Sequence, residues 1–455
     1  MTTMQPTGIP ETARAALRRR VQGTVIAPGD PAYDQARRVW NGLIDKHPAL
    51  ILRCQHVADV QAGIAFAREW QLPLAVRGGG HNVAGFGTCD DGLVLDLAPL
   101  RRCVVEPAAR LAHAEPGLTW RAFDQATTAH GLATPGGLVS STGIAGFTLG
   151  GGLGWLSRLY GLACDNLVAA QVVTADGTVV ETDATQEPEL LWGLRGGGGN
   201  FGVVTRFTYR LHPLGPLYGG LVAYPAEAAP AVLQACQMIM DHAPDALSLL
   251  ILFGDAPEGG PPIIGVAVCH VGPAEEAEQL LAPLRGLGTP LLRQLGPIPY
   301  GALQTMFDPL NPPGLYHYWR SGFLPHLDAV VQEIVVHYGT HRPTPLSMIH
   351  VHHLGGAIAR VDPGASAFAH RADPYLYNIL AIWTDPAAEE RCLDWLRRCS
   401  EALQAHERGT YVNFMSGDGG ERVRLAYGPH YERLVALKRR YDPTNLFRLN
   451  QNIRP

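Results

Sequence analysis

Charged residues are scarce in this sequence of 455 residues, and lysine is nearly missing. Asp, Glu, Lys and Arg together make up 17% of the chain, against roughly 25% in an average soluble protein. Lys46 and Lys438 are the only lysines, and 36 basic residues against 41 acidic ones give a net charge of −5. Because no run of Lys or Arg forms a face that could follow phosphates, we expect no nucleic-acid partner. The partner is expected to be a small molecule.

Long apolar segments and cysteine patterns are also missing. No apolar run approaches the roughly 18 to 20 residues that a membrane helix requires, and residues 1–21 contain no apolar core of the signal-peptide type. We therefore expect a cytoplasmic protein that does not enter a membrane. The eight cysteines are scattered without a CxxC spacing, which argues against a disulfide framework and against a structural zinc site.

Glycine, by contrast, is abundant, with 52 residues. Three glycine clusters lie at 77–87, 135–154 and 196–202. Such clusters at strand ends let backbone N–H groups approach phosphate oxygens, so they indicate a bound pyrophosphate, with a set of tight turns as the alternative. Residues 197–202 (GGGNFG) match GxGxxG, yet they follow a predicted helix and precede a predicted strand. A Rossmann site for NAD needs the reverse order and is therefore disfavoured.

Hydrophobic patterning divides the chain into two regions. The first, residues 1–212, is predicted to be an α+β cofactor domain. The second, from residue 213, is predicted to be an antiparallel sheet with helices on one face. The predicted strands lie at 72–76, 92–97, 167–174, 202–211, 246–253, 263–271, 346–354, 375–384 and 410–414, and the predicted helices at 188–194, 386–406 and 431–440.

Four motifs resemble those of a known family. They are RGGGHNVAGFG beginning at Arg77, GLVSSTGIAGFTLGGGLGWLSRLYGLACDNL over 137–167, LLWGLRGGGGNFGVVT over 190–205, and YDPTNLFRLNQNI over 441–453. In these segments the chain is similar to the FAD-linked oxidases of the berberine bridge enzyme type, within the vanillyl-alcohol-oxidase superfamily. The resemblance implies a two-lobed FAD-binding domain of the PCMH type, formed by residues 1–212 and the C-terminal segment 415–455. It also implies a substrate domain, residues 213–414, inserted between them.

The resemblance further implies that His81 carries FAD through a bond to the flavin 8α-methyl group. Many relatives add a second bond from a cysteine, but the matching position here is Val139. We therefore expect a covalent link through His81 only, and we interpret Cys164 as a core thiol. The residues implied to bind the cofactor are Arg77, Gly78, Gly79, Gly80, His81, Asn82, Gly85, Pro135, Gly136, Ser141, Gly143, Gly146, Phe147, Gly151, Asp165, Gly202, Val203, Tyr411, Asn413 and Asn450.

The catalytic bases known in this family are missing from the sequence. The motif position often held by a catalytic tyrosine is Phe414, and the position of the glutamate base in berberine bridge enzymes is Ala365. His350 and His352 are the leading candidates for a base because they alternate on one face of a predicted strand, whereas His353 points the other way. A purely structural role for one or both is the alternative. A zinc site at this HxHH tract is disfavoured because no carboxylate or cysteine lies at a compatible spacing.

The sequence thus predicts an oxidase that transfers hydride from a small hydrophobic or aromatic alcohol, amine or natural-product intermediate to FAD. Dioxygen is the expected partner that reoxidises the flavin, giving hydrogen peroxide. A sugar pocket would need several placed polar groups, whereas Leu380 stands where plant members often have glutamine. The predicted pocket residues are Trp319, Tyr377, Asn378, Leu380 and Phe414. Three alternatives stay open. They are a carbohydrate (oligosaccharide) oxidase with Trp319 and its neighbours Tyr316 and Tyr318 as stacking platform, an FAD-dependent dehydrogenase with another acceptor, and a flavin-binding protein without turnover.

Overall fold

A computed structural model describes residues 9–256, 259–417 and 419–455. Residues 1–8, part of the segment considered for a signal peptide, lie outside the described residues. The strands are β1 (Thr24–Ile26), β2 (Leu50–Arg53), β3 (Leu74–Arg77), β4 (Leu93–Asp96), β5 (Cys103–Glu106), β6 (Leu111–Ala114), β7 (Leu132–Ala133), β8 (Leu167–Val173), β9 (Val179–Thr182), β10 (Val203–Arg210), β11 (His212–Pro213), β12 (Leu217–Pro225), β13 (Leu247–Asp255), β14 (Pro262–Val271), β15 (Leu292–Pro297), β16 (Tyr316–Leu324), β17 (Met348–His353) and β18 (Tyr375–Trp383).

Helices of very different length connect these strands. They are α1 (Glu11–Arg20), α2 (Tyr33–Ala36), α3 (Val57–Glu69), α4 (Trp120–Thr128), α5 (Ile144–Leu149), α6 (Ser157–Tyr160), α7 (Pro188–Leu194), α8 (Ala229–Met240), α9 (Ala274–Leu280), α10 (Ala282–Arg285), α11 (Tyr300–Gln304), α12 (Ala329–Thr340), α13 (Ala357–Arg360), α14 (Glu389–Leu403), α15 (Gly420–Tyr427) and α16 (Tyr431–Tyr441). In the part of the chain that the structure describes, no helix combines the length and apolar character needed to cross a membrane.

Two sheets form most of the N-terminal half, and β7 and β11 add a small two-stranded antiparallel sheet. The first has the order β1-β2-β4-β3, with β2, β4 and β3 parallel. The second is antiparallel, in the order β5-β6-β10-β8-β9. Helix α3 joins them, since its Ile64 shares one core with Leu95 of β4 and Val173 of β8. The strands and the helix predicted for this region are confirmed as β3, β4, β8, β10 and α7.

Seven antiparallel strands form the large sheet, in the order β15-β12-β14-β13-β17-β18-β16. Helices α8, α12 and α14 cover one face, where Leu233, Val335 and Cys399 pack against strand residues such as Ile379. The predicted antiparallel sheet with helices on one face is thereby confirmed. The sheet spans residues 217–383, inside the predicted range 213–414; the exact division into 1–212, 213–414 and 415–455 stays a prediction.

The C-terminal segment packs on the N-terminal half. Lys438 of α16 is completely buried, and its Nζ donates hydrogen bonds to Asp442 Oδ2 at 2.7 Å, to the Asn200 carbonyl at 2.9 Å and to the Phe447 carbonyl at 2.8 Å. A buried charge needs such a complete set of partners. Together, residues 9–213 and 415–455 are called the two-sheet half below.

Two predicted elements differ from the structure. The strand predicted at 410–414 is wrong, because Val412–Phe414 is a 3₁₀ helix. The chain turns there so that the Asn413 amide donates to the Phe147 carbonyl of the two-sheet half at 2.9 Å. In place of the single helix predicted at 386–406, the structure has a 3₁₀ turn at Pro386–Ala388 followed by the shorter helix α14. The Asp385 side chain caps the 3₁₀ turn.

Candidate active site

A cavity lies between the two-sheet half and the face of the seven-stranded sheet that the helices leave uncovered. Two glycine-rich loops form one wall, the loop that follows β3 and the loop that precedes α5. Side chains of β16, β17 and β18 form the opposite wall. The C-terminal segment contributes Phe447, Leu449, Asn450 and Gln451. The cavity therefore joins parts of the chain that are far apart in sequence.

The two glycine-rich loops touch at Gly79 and Gly143. A Cβ atom added to Gly79 would lie 2.5 Å from the backbone nitrogen of Gly143, and one added to Gly143 would lie 2.5 Å from the nitrogen of Gly79. Neither position has room for a side chain. The next residue, Gly80, has a φ of +68°, a conformation that favours glycine. Bare backbone of this kind can approach a phosphate closely.

A buried ion pair fixes the start of the first loop. Arg77 ends strand β3, and its Nη2 lies 3.1 Å from Oδ2 of Asp96, which ends the parallel neighbour β4. Both side chains are buried. Because the loop begins at this pair, the pair sets the direction in which Gly78 and Gly79 leave the sheet.

Most of the residues implied to bind the cofactor line the cavity. They are Arg77, Gly78, Gly79, Gly80, His81, Asn82, Gly143, Gly146, Phe147, Gly202, Val203, Tyr411, Asn413 and Asn450. Their role in binding stays a prediction.

The remaining six, Gly85, Pro135, Gly136, Ser141, Gly151 and Asp165, do not line the cavity. Asp165 pairs instead with the buried Arg371, Oδ1 to Nη2 at 2.6 Å, and accepts a hydrogen bond from the Leu162 backbone. A Cβ at Gly136 would meet the Trp120 ring at 2.8 Å. Asp165 and Gly136 therefore lie behind the residues that line the cavity, and they support the glycine-rich loops from that side. Ser141 contacts His81, with 3.4 Å between Oγ and Nε2.

His81 lies on the cavity wall at the end of the first loop. Burial lowers the pKa of its imidazole to about 4, so the ring is neutral at pH 7 and keeps a nucleophilic lone pair. Val139 lines the same cavity, and none of the eight cysteines, all of them in the described residues, does so. Cys164 is completely buried.

His350 and His352 of β17 lie on the cavity wall, and His353 does not. The register places His350 beside Asn378 of β18 and Met348 beside Leu380. Leu380 in turn pairs with Trp319 of β16. His353 is on the other side of the strand, where its Nε2 is 3.0 Å from Nη1 of the buried Arg158.

The histidines on this wall are neutral, and several polar atoms lack partners. Burial lowers the pKa of His350 to about 4 and that of His352 to about 3. Among the described residues, the buried atoms His352 Nε2, Asn378 Oδ1 and Trp319 Nε1 have no hydrogen-bond partner. Leu380, Met348 and Phe414 line the same cavity. The wall is thus apolar, with a few polar atoms available to a bound molecule.

Tyr377 is not a pocket residue, which corrects the prediction. Its hydroxyl donates to the carboxylate of Glu407 on the helix-covered side of the sheet. Successive residues of a strand point to opposite faces, so Asn378 and Tyr377 could not both reach the cavity. The other predicted pocket residues, Trp319, Asn378, Leu380 and Phe414, do line it.

Some lining residues are absent from the sequence-based prediction. Leu252 of β13 pairs with His350. The alternation of inward and outward side chains, applied to this neighbouring strand, could have identified Leu252 as a lining residue. Phe307, Leu310 and Asn311, in the segment after α11, also line the cavity. No pattern in the sequence identifies that segment, since it has no regular periodicity.

Comparison with known proteins agrees with this geometry. A family model described as FAD binding domain matches residues 48–183, and one described as berberine and berberine like matches residues 410–454. An FAD-linked oxidoreductase of Dictyostelium discoideum is 33% identical over 441 residues, which cover 96% of this chain and 95% of that protein.

Two further comparisons concern a nicotine oxidase. The (R)-6-hydroxynicotine oxidase of Paenarthrobacter nicotinovorans is 30% identical over 467 residues, covering 98% of this chain and 99% of that protein. The crystal structure of 6-hydroxy-D-nicotine oxidase from Arthrobacter nicotinovorans superposes with a TM-score of 0.88 at 29% identity, covering 96% of this chain and 98% of that one.

The comparisons identify the chain as an FAD-dependent oxidoreductase. The chain belongs to the family of FAD-linked oxidoreductases with a berberine-like C-terminal region. The resemblance stated from the motifs is confirmed, and so is FAD as the cofactor. The described residues fit FAD, because the contact of Gly79 with Gly143 leaves bare backbone on the wall and the buried Oδ1 of Asn450 has no partner among them.

Replacing Gly79 by alanine is expected to weaken FAD binding. The added Cβ would push the two glycine-rich loops apart, and overpacking of this kind typically costs about 1–3 kcal/mol. Flavin content of the purified protein and titration with FAD measure the effect. Gly301→Ala is the matched control, since a Cβ there meets nothing within 4 Å. Equal flavin content in both variants would show that the close contact does not shape the FAD site.

Proposed function

We propose that this protein is an oxidase of small hydrophobic or aromatic alcohols, amines or natural-product intermediates, with FAD held covalently through His81 alone. The observation that carries the proposal is the cavity wall of β16, β17 and β18, an apolar surface that holds two neutral histidines. When bound, FAD supplies the acceptor for a hydride and passes the two electrons on to dioxygen, giving hydrogen peroxide. The residues of the chain bind and orient the substrate and take up its proton.

His350 and His352 are the proposed bases. Loss of hydride from an alcohol or amine leaves a proton on oxygen or nitrogen that a base must accept. A histidine with a lowered pKa is already unprotonated at pH 7, so its lone pair is available without prior loss of a proton. The buried Nε2 of His352 has no partner among the described residues, which supports a role in accepting this proton.

The apolar wall supports a hydrophobic or aromatic substrate. Leu380, Met348 and Leu252 offer contact area to a ring, and Asn378 with Trp319 offers a few directed hydrogen bonds. Pockets of this composition hold small apolar molecules and use the polar groups for orientation. One relative is named an oxidase of 6-hydroxynicotine, which supports an amine that carries an aromatic ring as one candidate class.

The proposed covalent link uses the neutral imidazole of His81. In net terms, the imidazole N–H and one C–H of the flavin 8α-methyl group are replaced by a C–N bond, and dioxygen takes the two hydrogens with their electrons as hydrogen peroxide. Val139 in place of a cysteine supports a single link.

A screen with peroxide detection tests the substrate class. Aromatic and aliphatic alcohols and amines are compared with glucose and oligosaccharides. We expect peroxide with aromatic substrates and none with sugars, because the wall lacks the several placed polar groups that a sugar needs. Turnover of oligosaccharides alone would favour a carbohydrate oxidase. A flavin that substrate reduces but air reoxidises only slowly would favour a dehydrogenase.

His81→Ala is expected to abolish the covalent link while FAD still binds. The wild-type chain, denatured and analysed by mass spectrometry, should carry the mass of one flavin, and the variant should carry none. In-gel flavin fluorescence gives an independent reading. Flavin that stays on the denatured His81→Ala chain would contradict the assignment of His81.

Replacement of the proposed base is expected to slow flavin reduction about 10²- to 10⁴-fold. His350→Ala and His352→Ala are compared by stopped-flow absorbance with His353→Ala, which changes the same strand on its other face. With an aromatic alcohol as substrate, the wild-type rate should be constant above about pH 6 and fall only as acid protonates groups whose pKa lies near 3 to 4. A rate that both substitutions leave unchanged would show that neither histidine is the base.

A further inference from the structure

The rings of His81, Trp40 and His317 form a continuous stack. The Trp40 ring lies 4.1 Å from the His81 ring, centroid to centroid, with 17° between their planes. On its other side the Trp40 ring lies 4.0 Å from the His317 ring, at 27°. Trp40 is only 6% exposed and is not among the residues that line the cavity. It contacts His81 from the protein interior.

The segment around Trp40 is tied to both parts of the protein through its backbone. The Trp40 N–H donates to the Gly80 carbonyl at 3.0 Å, next to His81. The Gly314 N–H donates to the Trp40 carbonyl at 2.9 Å, and the Gly42 N–H donates to the Leu315 carbonyl at 2.8 Å. The segment thus bridges the first glycine-rich loop and the start of β16, which holds the Trp40 ring at a fixed place between them.

Asn41 completes this bridge with its side chain. Its Nδ2 donates to the Val83 carbonyl at 2.7 Å and to the His317 carbonyl at 2.9 Å, and its Oδ1 accepts from the His317 N–H at 3.0 Å. The side chain is 1% exposed. Val83 lies two residues after His81, so the backbone is fixed on both sides of the histidine.

His317 acts in this stack as a flat, uncharged surface. It is completely buried, and neither ring nitrogen has a hydrogen-bond partner among the described residues. Burial lowers the pKa of its imidazole to about 3. The ring therefore carries no positive charge at pH 7. It stacks on the Trp40 ring and also meets the Trp319 ring edge-on, with 5.7 Å between the centroids.

We propose that Trp40, held by Asn41 and backed by His317, is a positioning residue that orients the His81 ring for its attachment to FAD. This inference rests on the proposed covalent link at His81. Bond formation requires the ring nitrogen within close reach of the reacting carbon and in the right direction, and a displacement of about 1 Å costs up to roughly 100-fold in rate. Stacking on a fixed indole restricts the rotation of the His81 ring before the flavin binds. As in the link proposed for His81, dioxygen is the oxidant of the attachment and takes up the two hydrogens as hydrogen peroxide.

The test compares the rate of flavin attachment in matched tryptophan variants. Trp40→Leu removes the ring and keeps apolar volume, and Trp40→Phe keeps an aromatic ring. Trp395→Leu is the control. Trp395 of α14 is 7% exposed and donates its indole N–H to the Tyr338 carbonyl at 3.2 Å, as Trp40 donates its indole N–H to the Asn311 carbonyl at 3.1 Å. Full-length protein from flavin-depleted cells is incubated with FAD in air. Acid-stable flavin on the chain is followed over time, and total bound flavin and Tm are measured on the same samples.

Trp40→Leu is expected to slow attachment roughly 10- to 100-fold while it still binds FAD reversibly, and Trp40→Phe should restore most of the rate. Attachment at the wild-type rate in Trp40→Leu would overturn the proposal, as would equal slowing in Trp395→Leu at equal Tm. If Trp40→Leu does not fold, His317→Leu is tested instead, because the His317 ring makes no hydrogen bond that this substitution would remove. Slower flavin attachment in His317→Leu supports the proposal, and an unchanged rate overturns it. Covalent flavin in His81→Ala would instead reject the proposed link itself, and with it this role of Trp40.

Discussion

The seven-stranded sheet is buried on both faces, and this constraint decides which side chains reach the cavity. Helices α8, α12 and α14 cover one face, and the two-sheet half with the cavity covers the other. Since successive side chains of a strand point to opposite faces of the sheet, each side chain of β17 and β18 faces either the helices or the cavity. His350, His352 and Asn378 therefore face the cavity, and His353 and Tyr377 face away from it. The site depends on the register of the strands more than on any single side chain.

The same burial sets the charge state of the site. Removal from water disfavours the protonated imidazole, so the three histidines around the cavity, His81, His350 and His352, are neutral at pH 7. It also leaves the Asn378 amide oxygen and the Trp319 indole N–H without partners. A buried unpaired polar group costs about 1–3 kcal/mol, a cost that a bound molecule with matching groups can offset. Neutral histidines and unpaired polar atoms are therefore two results of one cause, the burial of this wall.

Contacts between the two-sheet half and the large sheet keep the two cavity walls in register. Besides the bridge at Trp40 and Asn41, Asp308 accepts from the backbone of Ser140 at 2.8 Å and pairs with Arg121 at 2.7 Å. These residues lie beside the glycine-rich loop that precedes α5 and beside Phe307 of the cavity wall. Each contact joins residues more than 160 positions apart in the sequence. The geometry of the site is thus a property of the assembled chain.

The α+β architecture, the family, the cofactor and the cavity-facing pair His350 and His352 follow from the amino-acid sequence alone. Each of these depends on local periodicity or on contiguous motifs, which a single strand or loop already contains. The folded structure was needed to show that Val412–Phe414 is a 3₁₀ helix, that Asp165 pairs with Arg371, that Tyr377 contacts Glu407, and that Phe307 and Trp40 lie near the site. The reason is sequence separation, because the contact partners of these residues lie up to hundreds of positions away. The local sequence does not indicate which distant backbone group or ring a side chain will contact.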